Sequence, residues 1–194
     1  MLRVYFEKKN KKIMKICIIG DGRANALICI LKLFPDIKIY SVNLPEVLIA
    51  DYNLIKEFNF LEKDNIKTIN DINEVNEKDK KLYLVPSNNK EFLYSQNIDL
   101  FLDIAAMQEM TQKEIDEYFK IIENNNSLFY CCNREIKELD GGEISKFEKY
   151  GWKKNTIIFN ELCYWHNKFP TLRPPFFNYR KDKIRHCLVD YNKV

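Results

Sequence analysis

Along the chain, short runs of consecutive apolar residues alternate with longer stretches in which apolar positions recur every three or four residues. The first pattern suits strands buried on both faces, and the second suits helices that bury one face. Residues 13–19 (IMKICII) read as a buried strand. Leu27, Ile28, Leu31 and Leu33 then recur at helical spacing over 25–34, and Pro35 stops that helix. A second strand is predicted over 37–42, followed by a helix over 46–60 with Pro45 suited to its first turn. The polar stretch 61–81 reads as a solvated connection with a small strand near 66–69. Strands over 82–85, 98–105 and 127–132 follow, with a short helix over 88–96 and a longer one over 112–124. Thr111 with Glu114 three residues later makes a capping-box pattern at the start of the longer helix. Beyond Asp140-Gly141-Gly142, two more strands, 156–160 and 185–191, flank an aromatic, proline-containing stretch.

Strands separated by helices predict an α/β fold with a mostly parallel sheet and helices on both faces. A chain of 194 residues is long enough for one well-buried core. We therefore expect a single domain: a tail over 1–12, a cofactor-binding core over 13–134, and C-terminal strands with an aromatic, acceptor-side segment over 135–194. Hydrophobic residues make up 46% and charged residues 30%, ordinary values for a globular protein. The net charge of +3, from 31 basic and 28 acidic residues, is too balanced to argue for nucleic acid as partner. No apolar run reaches bilayer-spanning length, and the first residues lack a signal-peptide pattern, so no transmembrane segment and a cytoplasmic location are expected. The six cysteines (Cys17, Cys29, Cys131, Cys132, Cys163 and Cys187) lack C-x-x-C spacing. They are expected as buried free thiols, and no metal is expected.

Glycine is scarce, with five in the chain, yet Gly20 and Gly22 stand one residue apart just after the first predicted strand. In doubly wound sheets ligands bind outside the carboxyl ends of the strands, where bare backbone allows close approach. The dinucleotide fingerprint G-x-G-x-x-G needs glycine at position 25, where Asn25 stands. The shorter G-x-G-x-A is met by Gly20, Gly22 and Ala24, and it is similar to the first motif of class I S-adenosylmethionine methyltransferases. That fold usually places an acidic residue after strand two to bind ribose hydroxyls, and here the position is Asn43. An amide can bond hydroxyls but lacks the charge-assisted strength of a carboxylate. Ile18 likewise stands where an acidic residue is common.

Downstream come DLFLDIAAMQEM at 99–110, FYCCNR at 129–134, GGEISKFEKYGW at 141–152, ELCYWH at 161–166, RPPFFNY at 173–179 and IRHCLV at 184–189. Taken in order after IIGDG at 18–22 and VNLPEVL at 42–48, these resemble the sugar O-methyltransferase family of bacterial surface-polysaccharide gene clusters, over roughly Lys15 to Tyr191. The resemblance implies a Rossmann-like class I methyltransferase fold with a seven-stranded sheet whose last strand is antiparallel. It also implies S-adenosylmethionine as donor and a sugar hydroxyl as acceptor, on a nucleotide sugar or a lipid-linked glycan. Cofactor contacts are then expected from Gly20, Asp21, Gly22, Ala24, Asn43, Ser87, Asp103 and Ala105. Relatives carry more sequence before the first strand, so the alternative is a truncated or non-catalytic methyltransferase-like subunit. A nicotinamide-dependent oxidoreductase is the weaker alternative, and a homo-oligomer is left open.

Methyl transfer to a hydroxyl is an in-line displacement that needs alignment, exclusion of water and a base for the acceptor proton. Glu109, just past the strand-four run, is the first candidate base; it also suits the first turn of the next helix as a dipole-stabilised charge. His166 is the second, with a pKa range suited to acid–base work; as a loop histidine it equally suits structural hydrogen bonds. Gln108, Asn133, Arg134 and Trp165 are the candidate sugar contacts, Arg134 with a surface ion pair to Glu135 or Glu138 as its other reading. Tyr164, Trp165, Phe169, Phe176 and Phe177 crowd around prolines and suit either a core or a wall that stacks on a sugar.

Overall fold

The computed structural model describes residues 13–71, 80–164, 166–179 and 181–193. The expected 1–12 tail and Trp165 lie outside the described residues. The chain divides into two compact units with the boundary between Phe101 and Leu102.

In the N-terminal unit, strand β1 (Lys15–Ile19) leads through the glycine turn into helix α1 (Asn25–Leu33). Strand β2 (Lys38–Asn43), helix α2 (Pro45–Glu57), strand β3 (Ile66–Thr68) and strand β4 (Leu82–Pro86) follow. The strands lie in the order β3-β4-β2-β1, and every pairing among them is parallel. Four residues in a row are buried in each of β1 and β2, as expected for strands covered on both faces. Tyr40 and Tyr83 stack across β2 and β4 with ring centroids 4.9 Å apart. Helix α2 ends at Glu57, three residues before the expected end. Asn59 takes a left-handed conformation (φ 49), and the Asn59 and Phe60 amides donate to Lys56 and Ile55 carbonyls, which closes the helix in a Schellman motif. The segment expected as a helix over 88–96 is instead a 3-10 segment, Ser87–Ser95, with a kink at Asn89. The Asn89 side chain donates to the Ile69 carbonyl at 3.1 Å, a distant partner that no local pattern reveals.

Strand β5 (Leu100–Ile104) carries the chain across the unit boundary. The C-terminal unit continues with helix α3 (Gln112–Asn124), strand β6 (Leu128–Arg134), strand β7 (Ile136–Glu138) and strand β8 (Ile144–Lys146). It ends with β9 (Ile157–Leu162), β10 (Lys168–Pro170), β11 (Phe177–Tyr179) and β12 (Ile184–Asp190). Here the order is β5-β6-β12-β9, and β12 runs antiparallel to both β6 and β9, so the last strand has the expected direction. Helix α3 begins where expected, with both halves of the capping box formed by Thr111 and Glu114. Its apolar face, including Ile115, Phe119 and Ile122, is buried. Phe119 meets Phe129 and Trp152 edge-on, at centroid distances of 5.4 and 5.1 Å. Two hairpins, β7–β8 and β10–β11, were not in the sequence pattern as strands. Asp140-Gly141-Gly142 is the turn of the first hairpin, with Gly142 at φ 80.

The principal strands number eight rather than seven. The additional one is the short edge strand β3, the small strand expected near 66–69, which pairs parallel with β4. The described cysteines are free, but Cys29 is exposed, contrary to the expectation that all six are buried. It falls on the solvent side of α1, whose buried face is Leu27, Ile30 and Leu31. Among the described residues no helix is long and apolar enough to cross a membrane.

Candidate functional site

The glycine turn joins β1 to α1 in the N-terminal unit. Gly20 has φ 69, a left-handed conformation that favours glycine, and its amide donates to the Val42 carbonyl at 2.8 Å. A side chain at Gly22 would meet nothing within 4 Å, so open space lies over that residue. Ala24 is buried and also left-handed (φ 51), standing at the helix N-cap. Asp21 accepts from the Leu27 amide at 2.8 Å and so satisfies one of the donors that every helix start leaves open. The Asn43 amide donates to the Asp21 carbonyl at 3.2 Å and accepts from the Leu44 amide at 3.0 Å. Thus Gly20, Asp21, Gly22, Ala24 and Asn43 are brought together at one turn, with Asp21 and Asn43 tying the turn to itself. Ser87 opens the 3-10 segment after β4 and is half-buried.

One feature near this turn was not singled out from sequence. Asp51, on α2, is buried, and one carboxylate oxygen has no hydrogen-bond partner among the described residues. Burial, and then the neighbouring Asp21 charge, push its carboxyl up from 3.8 to about 6. The Ser41 hydroxyl, on β2, is a second buried group without a partner among the described residues. An acidic residue on a helical face looks solvated in sequence, so only tertiary burial reveals Asp51.

In the C-terminal unit, the end of β5 and the end of β6 carry a connected polar network. Asp103 is fully buried and accepts from the Ala106 and Met107 amides at 3.1 and 3.0 Å, which caps the turn after β5. It also accepts from the Cys131 thiol at 3.1 Å and from the Asn133 amide. Burial pushes its carboxyl up, and these donors oppose the rise. Ala105 takes a left-handed conformation (φ 64), with its amide on the Cys132 carbonyl at 2.8 Å. Asn133 accepts from the Gln108 amide at 3.2 Å, and the Gln108 side chain accepts from the Arg134 amide at 2.9 Å. Gln108 in turn donates to Glu109 at 3.1 Å, and Lys137 lies 3.4 Å from the same carboxylate. Asp103, Gln108, Glu109, Asn133 and Arg134 therefore form one array, with Glu109 at its solvent-exposed end. Arg134 pairs with Asp182 at 3.8 Å rather than with Glu135 or Glu138. Arg185 takes Glu135 instead, at 2.7 Å.

His166 is exposed and lies apart from these contacts, with Nδ1 at 3.2 Å from the Cys132 sulfur and 3.5 Å from that of Cys163. The spacing Cys163-x-x-His166 was the available sequence signal for this grouping, and Cys132 comes from a separate strand. His186 on β12 lies 3.2 Å from the Tyr130 hydroxyl and 3.3 Å from Glu161. In the aromatic segment, Tyr164, Phe176, Phe177 and Tyr179 are exposed rather than core. A cleft of about 570 Å³ there is lined in part by Arg173, Phe177, Asn178 and Tyr179. Lys168 sits 3.6 Å from the centroid of the Tyr164 ring and 4.6 Å from that of Phe177.

No protein-family model matches the chain, and a comparison with curated protein sequences gives no match. Solved structures do. The methyltransferase domain of bacterial CtHen1 aligns with a TM-score of 0.52 at 13% identity, over 97% of this chain and 95% of that one. The PH0226 protein from Pyrococcus horikoshii OT3 aligns with a TM-score of 0.56 at 9% identity, over 97% and 87%. The mitomycin 7-O-methyltransferase MmcR aligns with a TM-score of 0.51 at 11% identity, over 92% of this chain and 49% of that one. At these identities the likeness is one of fold: an α/β, mostly parallel architecture shared with methyltransferases.

Proposed function

We propose that this chain is an S-adenosylmethionine-dependent O-methyltransferase that holds its donor at the Gly20–Ala24 turn and acts on a sugar hydroxyl in surface-polysaccharide synthesis. The observation that carries the donor assignment is the left-handed Gly20 directly after β1, with open space over Gly22, in a fold shared with methyltransferases. The orphaned Asp51 oxygen beside Asp21 fits a cationic donor, because a nearby positive charge offsets the cost of an ionised buried carboxylate. When bound, the donor supplies an electrophilic methyl group on a sulfonium.

The chain's own residues supply the rest. The bare backbone at Gly20 and Gly22 lets the ligand approach closely, and the Asn43 amide keeps one N–H for a ribose hydroxyl. Ser87 and Ala105 stand after β4 and β5, where the resemblance places further donor contacts. Glu109 takes the acceptor proton, with Gln108 and Lys137 fixing its carboxylate. It is preferred to His166 because that side chain lies apart from the Asp103–Arg134 array, against the Cys132 and Cys163 sulfurs. Asp103 acts as a positioning residue: it orients Asn133, which holds the Gln108 backbone. Arg134 and the cleft with Arg173, Phe177 and Tyr179 suit a sugar that bears a phosphate, through a charged group and exposed ring faces.

Calorimetric titration with S-adenosylmethionine and its demethylated product tests the donor assignment. One equivalent of each should bind, and Gly20→Val should weaken both more than roughly tenfold, because an L side chain strains the left-handed turn. No heat at millimolar ligand overturns it and favours a non-catalytic methyltransferase-like subunit. That second reading draws on Asp21 and Asn43, whose polar atoms already hold the turn. Binding of a nicotinamide dinucleotide in place of the methyl donor would instead revive the oxidoreductase reading.

A further inference from the structure

Cys132 lies on β6, and Cys163 and His166 lie in the turn directly after β9. Their donor atoms all fall within 4.8 Å of one another, with both sulfurs at 3.2 and 3.5 Å from the same imidazole nitrogen. Around a tetrahedral zinc ion, with sulfur at about 2.3 Å and nitrogen at about 2.0–2.1 Å, adjacent sulfur and nitrogen ligands sit about 3.6 Å apart and adjacent sulfurs about 3.8 Å. The two sulfur–nitrogen edges thus match such a tetrahedron to within a few tenths of an ångström, and the sulfurs, within 4.8 Å of each other, need only a small approach to complete one face.

The turn is also held in place by its own hydrogen bonds. The Asn167 side chain donates to the Cys163 and Ile184 carbonyls, both at 2.7 Å, and accepts from the Ile184 amide at 2.9 Å. The Cys163 amide donates to the same Ile184 carbonyl at 2.9 Å, so Cys163 is pinned to the start of β12. The Tyr130 hydroxyl hydrogen-bonds to Cys132 and lies 3.2 Å from His186. An outer partner of this kind fixes and polarises a ligating sulfur.

We propose that Cys132, Cys163 and His166 form a binding site for a zinc-class divalent cation, with three protein ligands. Two thiolates and an imidazole are the borderline-soft set that selects zinc over magnesium or calcium. Both cysteines are buried whereas His166 is exposed, so the fourth corner of the tetrahedron is open to water or to an oxygen of a small molecule. Sites with three protein ligands and one exchangeable position are the kind that activate water or polarise oxygen, in contrast to closed structural sites.

Cobalt(II) titration of the reduced, untagged, full chain tests this site, with cobalt as the optical stand-in for zinc. One equivalent should give the intense visible bands of tetrahedral cobalt together with thiolate-to-cobalt charge transfer, and zinc should displace it. His166→Asn changes an exposed side chain and leaves the fold intact; it should weaken binding more than roughly tenfold. Cys163→Ser should remove the charge-transfer intensity from one sulfur, with circular dichroism recording whether the fold is kept. Cys29→Ser, at an exposed thiol on α1, should change nothing. Only the pale spectrum of octahedral cobalt in the wild type, or an unchanged tetrahedral spectrum and affinity in His166→Asn, overturns the site.

Discussion

Asp51 makes the stability of this protein depend on pH in a way that can be worked from the structure. The unfolded chain ionises this carboxyl near its ordinary 3.8, whereas the folded chain holds the proton to about 6. Between those values the folded state binds more protons than the unfolded state, so stability falls as pH rises through the window. The favourable contribution is complete below the unfolded value and gone above the folded one. A shift of that size corresponds to about 3 kcal/mol. Asp51→Asn keeps the shape and removes the charge, but it buries an N–H₂ whose partner is not assured, which costs about 1–2 kcal/mol. The variant should therefore exceed the wild type by about 1–2 kcal/mol at mildly alkaline pH and match or fall below it near the unfolded value. Urea unfolding followed by circular dichroism at a series of pH values measures both curves. Parallel curves for the two proteins across the window would refute the assignment of this shift to Asp51.

Other perturbations follow from single contacts. Asn133→Ala removes the amide shared by Asp103 and the Gln108 backbone, and chemical denaturation should show a loss of about 2–3 kcal/mol. Gly151→Ala brings a Cβ to 2.8 Å from the Phe119 ring, so it should lower stability by about 1–3 kcal/mol and raise near-ultraviolet signal changes around Trp152. Thr111→Ala breaks the capping box at α3 and should cost about 1 kcal/mol in the same assay. Glu109→Gln should leave donor affinity within about twofold while lowering methyl transfer by roughly a hundredfold or more, as measured with labelled donor.

The parts of the fold that rest on local signals were legible in the sequence. Pro35 and Pro45 bracket β2 and the starts and stops around it, and Thr111 with Glu114 places the first residue of α3. The left-handed Gly20 is likewise what a glycine directly after a buried strand suggests. Elements that depend on distant partners were not legible. Asn89 breaks the expected helix because its side chain reaches Ile69, whereas the small strand expected near 66–69 is present as β3. The same division runs through the candidate residues. Gln108, Glu109, Asn133 and Arg134 could be proposed from sequence because they lie just past β5 or at the end of β6, and the carboxyl ends of such strands gather ligands. That Asp103 is the buried centre of their network, with its oxygens committed to backbone and thiol donors, follows only from packing. Asp51 and the grouping of Cys132 with Cys163 and His166 depend on tertiary burial and on strands far apart in sequence.

Residue-resolved NMR tests the proposed methyl-donor site at the glycine turn most directly. Titration of ¹⁵N-labelled protein with S-adenosylhomocysteine should shift the amide signals of Gly20, Gly22, Ala24 and Asn43 in a saturable manner, and Asp51→Asn should weaken the response. Saturable shifts confined to other residues, or none at millimolar ligand, would contradict it.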